Sequence, residues 1–325
     1  ILTDSIIHPE HEFSIEGHPN NTTKEHLQML YVNGFRRISY GVQDNDPQVQ
    51  HIINRIQPFE NVKNATEQAR AIGFTSVNFD LIYGLPRQTL SSLQRTLEQV
   101  LALQPDRVAF YSYAHVPWTS RGQRLFDEQD LPDAALKMQL YLLGKKMFTD
   151  AGYTDIGMDH FARPADDLTI AREEGRLHRN FMGYTTQRTA MLLGLGVSSI
   201  SDAGVAFAQN EKALHDYYAA VHAGNLPVFR GYFLNEEDRI FRQYILDISC
   251  RGVTRFHEED IPLLRAYCFP ALDAMRADGL LSYDDTGVEV SDLGRHFIRN
   301  ICSAFDLYLR REQPETNRPV FSKAI

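Results

Sequence analysis

Cysteine is scarce in this chain of 325 residues, which has Cys250, Cys268 and Cys302 and none earlier. Their spacings match no metal-ligand motif. An odd number of scattered thiols in an acidic protein is expected to be reduced, mostly buried and in a cytoplasmic setting. No apolar run reaches the roughly 18 residues that a membrane helix needs. No basic stretch followed by a short apolar run opens the chain, so no secretory signal is read. Basic residues are outnumbered, 33 Lys and Arg against 42 Asp and Glu, and the net charge of −9 argues against a broad nucleic-acid-binding face. There is no low-complexity tract. No lysine sits at a strand end to form a Schiff base, and no phosphate-binding glycine loop is visible, which disfavours an aldolase or lyase barrel.

What is present suffices for a large core, since 43% of residues are hydrophobic. Four apolar runs, Phe13–Glu16, Ile38–Gln43, Val77–Tyr83 and Val108–Ala114, each pass into a helical pattern. Their separation suits repeated βα units. Helices are expected around 25–30, from Asp46-Pro47, over 60–71 and 91–103, and from Pro132 to Gly152. The run at 76–83 is apolar except for Asn78 and Asp80, as in a strand buried on both faces. The segment from 155 to 190 is dense in His, Arg, Gly and aromatics, and long irregular stretches of this kind are often binding elements. Leu193 to Ile200 reads as a short strand. From about 235 two helices, a hairpin around Asp285-Thr286-Gly287 and a helix from Arg295 to Leu309 make a winged-helix-like α+β domain. Its recognition-helix position carries Asp273 and Asp278, which argues against DNA.

Strands of parallel βα folds end at the functional rim. Glu16, Gln43 and Asp80 lie there in phase, two carboxylates and an amide suited to a ribose diol or an ammonium group. Their alternative role is to cap the following helices. His160 and His178, with Arg163 and Arg179, could hold an anion, or serve as surface or satisfied internal polar groups. No third and fourth ligand at suitable spacing accompanies them for zinc.

Together these segments resemble the oxygen-independent coproporphyrinogen III oxidase family, radical S-adenosylmethionine (SAM) enzymes of haem biosynthesis. The resemblance rests on Ser14-Ile15-Glu16, Gly41-Val42-Gln43-Asp44, Asn54-Arg55, Gly73–Ser76, Asp80–Pro86, Tyr113-Ala114-His115, Gly157–Pro164, His178–Gln187, Gly194–Ser201 and Arg299–Cys302. It implies an α/β fold, an incomplete radical-SAM-type (β/α)6 partial barrel over 1–235 with a substrate segment at about 155–200. The small winged-helix-like domain would then cover 236–325. It also implies that Glu16, Gln43, Arg55, Asp80, Ala114 and Ile200 contact two SAM molecules, with Met182 beside the second where some members have glutamine. Charge complementarity to a substrate with four carboxylates adds Arg163, His178, Arg179 and Arg188 as substrate candidates.

One departure dominates. The family carries a Cys-x3-Cys-x2-Cys loop for a [4Fe–4S] cluster after its first strand, and this chain has no such loop. The first two βα units are therefore expected to lie upstream of Ile1, and the chain alone is expected to be inactive, with no metal ligands of its own. In the complete enzyme, the resemblance implies that a reduced cluster cleaves SAM to a 5′-deoxyadenosyl radical. That radical takes hydrogen from two substrate propionates, which lose CO2 to become vinyl groups. Coproporphyrinogen III and an electron-donor protein are the implied partners, with no nucleic acid and no membrane, and the protein is expected to be a monomer. The alternative is a haem-chaperone-like relative that binds haem or porphyrin without turnover, which the 178–187 block disfavours.

Overall fold

A computed structural model describes residues 6–118 and 121–311. Residues 312–325 of the expected C-terminal domain lie outside the described residues. The chain divides into two compact units, one ending at Thr169 and the other beginning at Ile170.

The first unit builds its strands and helices from local signals. Strand β1 (Ser14–Gly17) precedes α1 (Lys24–Val32), where the Thr23 hydroxyl accepts from the His26 amide. Strand β2 (Arg37–Gln43) leads into α2 (Pro47–Ile52), with Asp46 as N-cap and proline in the first turn. Helix α3 (Phe59–Ile72) stops at Gly73, whose φ of 115 admits no side chain without strain. Strand β3 (Ser76–Tyr83), α4 (Leu90–Ala102), β4 (Arg107–Ser112) and α5 (Ala134–Asp150) follow. Strands β5 (Thr154–Gly157) and β6 (His160–Ala162) complete a sheet of order β1-β2-β3-β4-β6-β5. Strands β1 to β4 are parallel, while β6 runs antiparallel to both β4 and β5.

Strand alternation gives this sheet two unlike faces. Ile38, Tyr40, Val42, Val77, Phe79, Leu81, Val108 and Phe110 pack with Leu27, Val62, Leu97 and Phe148 of the helices in one core. The opposite face carries Arg37, Ser39, Gly41, Asn78, Asp80, Arg107 and Ala109. Strand β3 is therefore not buried on both faces as its apolar run suggests; Asn78, Asp80 and Ile82 are half-buried. Near the strand starts, Asp166 accepts from Arg107 Nε at 2.8 and 2.9 Å, and Arg37 reaches Glu12 at 2.8 Å. These acids balance two guanidiniums on the polar face.

The division between units falls within α6 (Asp167–Glu173). In the second unit, β7 (His178–Asn180) and β8 (Gly183–Thr185) form a hairpin. Strands β9 (Ile200–Asp202), β10 (Ala206–Asn210) and β11 (Val228–Phe233) form an antiparallel sheet, with α7 (Leu214–His222) between the last two. Helix α8 (Glu236–Arg251) ends at Gly252 and runs into β12 (Val253–Arg255). The short α9 (Ile261–Leu263), a π-turn at Leu264–Cys268 and α10 (Phe269–Ala277) stand where one continuous helix is expected. Strands β13 (Leu281–Asp284) and β14 (Gly287–Val290) form the hairpin that the Asp285-Thr286-Gly287 turn predicts, and β12 pairs with the other edge of β14 in the wing.

Three expectations change here. Leu193–Ile200 is a loop through Gly194 and Gly196, framed by an isolated Leu192–Asp202 bridge, and a strand begins only at Ile200. The helix expected over 295–309 is broken into a 3-10 turn at Gly294–Phe297, α11 (Ile298–Ser303) and α12 (Leu307–Arg311). The texture change near 235 lies inside the second unit, because the Tyr184 hydroxyl donates to the Ser249 carbonyl at 2.7 Å and joins the hairpin to α8.

Candidate functional site

The polar sheet face of the first unit gathers its titratable groups around the ends of β1, β2 and β3. Register places Glu16 opposite Ser39, and Gly41 opposite Asp80. Ser39 donates its hydroxyl to Asp80 Oδ1 at 3.3 Å. Burial pushes the Asp80 carboxyl up to about 6, the Glu16 charge pushes it the same way, and the Ser39 hydrogen bond opposes both. Two carboxylates thus feel one another across a single intervening strand. A cation placed between them would relieve that repulsion, and a diol could donate to either oxygen pair.

The positive side of the site is built around Gly41. Arg55 Nη2 donates to the Gly41 carbonyl at 2.7 Å. A Cβ on Gly41 would stand 2.9 Å from Gln43 Nε2 and 3.0 Å from Arg55 Nη2. Glycine here lets both side-chain ends approach the backbone. Gln43 itself has a φ of 64, and the β2–β3 register shifts between Gly41 and Gln43. This bulge re-aims the amide at the strand end. Burial lowers the Arg55 pKa, and its buried Nε has no hydrogen-bond partner. Burial, then the Arg55 charge, also holds His18 below its ordinary range.

A buried network fixes the loop behind this rim. Asp44 Oδ1 accepts from the Asp46 amide at 2.6 Å and from the Thr96 hydroxyl at 2.9 Å, while Oδ2 accepts from Gln88 Nε2 at 2.6 Å. Gln88 Oε1 in turn accepts from the Gly84 amide at 2.7 Å, which ties the end of β2 to the turn after β3. Past β4, the Tyr113 amide donates to the Tyr83 carbonyl at 2.8 Å and Gln123 Nε2 to the Ala114 carbonyl at 3.0 Å. Ala114 therefore offers backbone and a methyl group beyond the strand end.

Of the residues singled out in the sequence, Glu16, Gln43, Arg55 and Asp80 come together, and Ala114 lies just past neighbouring β4. Arg163 does not join them. Its amide donates to the Asp106 carbonyl at 3.0 Å, at the start of β4, and its side chain serves Tyr153. His160 pairs across from Ala109, in the row of Asp80, on the same polar face. Ile200 and Met182 belong to the second unit, Ile200 opposite Gln209 in β9 and Met182 exposed at the hairpin tip. His178 and Arg179 occupy β7, with Arg188 further along. Ser39 and His18 escaped sequence inspection. Period-two alternation from Gly41 signals Ser39, whereas nothing in the sequence marks His18.

A [4Fe–4S] cluster does not fit the donors present. Burial pushes the Cys268 and Cys302 thiols up to about 12, and Cys250 is raised as well. Among the described residues no group of three or more His, Cys, Asp or Glu could hold a metal.

The radical SAM superfamily model matches residues 4–100. The chain is 39% identical over 320 residues to oxygen-independent coproporphyrinogen III oxidase of Pseudomonas aeruginosa, spanning 97% of this chain and 69% of that protein. The protein of that name from Thermostichus vulcanus is 41% identical, with 97% and 98% spanned. The solved coproporphyrinogen III oxidase of Escherichia coli, described as a radical SAM enzyme, superposes with a TM-score of 0.86 at 42% identity, over 91% of this chain and 70% of that one. Identity of this order over nearly the whole chain decides the matter. The chain belongs to the oxygen-independent coproporphyrinogen III oxidase family of radical SAM proteins.

Proposed function

We propose that this chain provides the SAM-binding rim and the substrate-binding part of an oxygen-independent coproporphyrinogen III oxidase, an oxidoreductase of haem biosynthesis. The observation that carries this reading is the convergence of Glu16, Asp80, Gln43 and Arg55 on one polar sheet face. Glu16 and Asp80 suit a ribose diol or the α-ammonium group, and their mutual repulsion falls when the ammonium binds. Arg55 keeps an unpartnered buried Nε and a fork geometry matched to the methionyl carboxylate. Gln43, turned by the bulge, adds an amide that can donate and accept. Ala114 supplies backbone and a small apolar contact.

When bound, SAM and an iron–sulfur cluster supply the one-electron chemistry that takes hydrogen from the two substrate propionates before decarboxylation. This chain's residues bind and orient, and the half-buried sheet face limits access of water. The described residues furnish no ligands for a cluster. The family resemblance supports two SAM molecules, with Ile200 and Met182 assigned to them on that basis alone. It likewise supports coproporphyrinogen III as substrate and a separate electron-donor protein.

Calorimetric titration of the chain with SAM tests the reading. Saturable binding is expected, with a stoichiometry of two. Absence of any SAM binding by the folded chain would overturn it.

A further inference from the structure

Helix α5 carries one lysine whose placement neither packing nor surface electrostatics explains. Lys137 is the fourth residue of the helix, still near the positive end of its dipole. The N-cap carboxylate, Asp133, stands four residues earlier, at the spacing that pairs acids with lysines on a helix surface. Lys137 forgoes that pair. Its stem runs inward across Gly84, where a Cβ would meet Lys137 Cε at 3.0 Å and Cγ at 3.2 Å. Its Nζ donates to the Tyr113 carbonyl at 3.1 Å. Among the described residues no carboxylate lies within ion-pair distance of Nζ, and burial lowers its pKa with no charge opposing. A half-buried ammonium without a counter-charge lowers the stability of the fold. Departures of this kind concentrate at functional sites.

The carbonyl that Lys137 holds belongs to the peptide leading into Ala114. The Tyr113 amide is already used by the Tyr83 carbonyl, and the Ala114 carbonyl by Gln123 Nε2. In this dipeptide only the Ala114 N–H lacks a partner among the described residues, and Ala114 is exposed. The C=O and N–H of one trans peptide point opposite ways. An ammonium fixed on the oxygen from α5 therefore leaves the N–H facing away from that helix, and its charge strengthens the N–H as a donor. Arg55 and Gly41 place the methionyl end of SAM at β2. Ala114 follows β4, two strands away across β3, and so meets the adenosine end.

We propose that Lys137 is a positioning residue for SAM: through the Tyr113 carbonyl it holds the Ala114 N–H ready to donate to the adenosine end of the ligand. The inference rests on the SAM-binding reading above and adds a helix residue to a rim built from strand ends.

Calorimetric titration of Lys137→Met with SAM and with 5′-methylthioadenosine, which lacks the methionyl carboxylate and ammonium, tests the role. Methionine keeps an apolar stem over Gly84 and removes the charge and the donor. Affinity for both ligands is expected to fall by the same factor, about fivefold or more. The melting temperature of the unliganded chain is expected to stay level or rise, since an uncompensated charge has gone. A side chain that merely packs would give the reverse, a lower melting temperature and unchanged affinity of the folded chain. Aminoethylation of Lys137→Cys rebuilds a side chain of lysine's length. It is expected to restore most of the affinity of the parent chain carried through the same treatment. Unchanged affinity in Lys137→Met, at whatever melting temperature, would overturn the role and leave the SAM reading intact. A loss for SAM alone, with 5′-methylthioadenosine unaffected, would make Lys137 a direct partner of the methionyl end and overturn the proposal. A parent chain that binds neither ligand would overturn the SAM reading itself, and this inference with it.

Discussion

At the scale of single residues, Asp80 shows how a binding site costs stability before its ligand arrives. Its carboxyl is pushed to about 6 by burial and Glu16. The folded state therefore binds more protons than the unfolded chain between about pH 4 and 6. Stability from this group is fully present below the ordinary carboxylate pKa and is lost as pH rises through 6. The difference is about 3 kcal/mol as an order of magnitude. Asp80→Asn should remove this slope and raise the neutral-pH melting temperature, while SAM affinity falls at least tenfold. Melting curves at pH 4.5 and 7.5 with parallel titrations check both, and a variant that loses stability at pH 7.5 would contradict the account. Arg55 behaves oppositely. Arg55→Gln removes the donor to Gly41 and the fork for a carboxylate, so SAM affinity should drop about tenfold or more, since charge-assisted bonds contribute about 1.5–3 kcal/mol. A truncated ligand lacking the methionyl carboxylate should bind parent and variant alike.

At the scale of elements, the site depends on how strands end. The Asp44 carboxylate holds three donors from the α2 cap, α4 and the turn after β3. Asp44→Ala leaves the Asp46 amide and the buried Thr96 hydroxyl without this acceptor, while Gln88 Nε2 keeps the Ile82 carbonyl at 3.0 Å, at a cost of about 3 kcal/mol. Urea denaturation should show the loss, and SAM binding should weaken because Gln43 and Arg55 flank the same loop. The four parallel strands were legible from their apolar runs, and the rim carboxylates from their phase within those runs. Ser39 was less visible because a serine within a strand carries no distinctive spacing. The loop at Leu193–Ile200 was misread as a strand because its apolar residues alternate with glycines. Gly194 lies so close to Ile200 that a Cβ would meet its backbone nitrogen at 2.8 Å, a packing contact that sequence pattern does not encode. The 3-10 turn ahead of the last helices likewise seats Gly294 against Leu280, where a Cβ would meet the carbonyl oxygen at 1.8 Å.

At the scale of the whole molecule, chemistry and chain composition pull apart. The family works through an iron–sulfur cluster, yet the cysteines here serve the core of the second unit. Cys268 and Cys302 are buried, and Cys302 Sγ donates to the Ile245 carbonyl at 3.8 Å. A thiol held near 12 stays protonated at neutral pH, whereas iron binds the thiolate. Metal binding would have to extract these side chains from packed surroundings and deprotonate them together. Anaerobic treatment of the folded chain with ferrous iron and sulfide should therefore give no cluster absorbance and no bound iron after desalting. SAM binding to the Glu16–Asp80 rim should be unchanged by that treatment, because the rim draws on none of the thiols. At SAM concentrations 100-fold above Kd, the ligand should still stabilise the fold by about 2.7 kcal/mol. Bound iron at cluster stoichiometry, with reactive Cys250, Cys268 and Cys302 becoming protected from alkylation, would show instead that the second unit can rearrange around a metal.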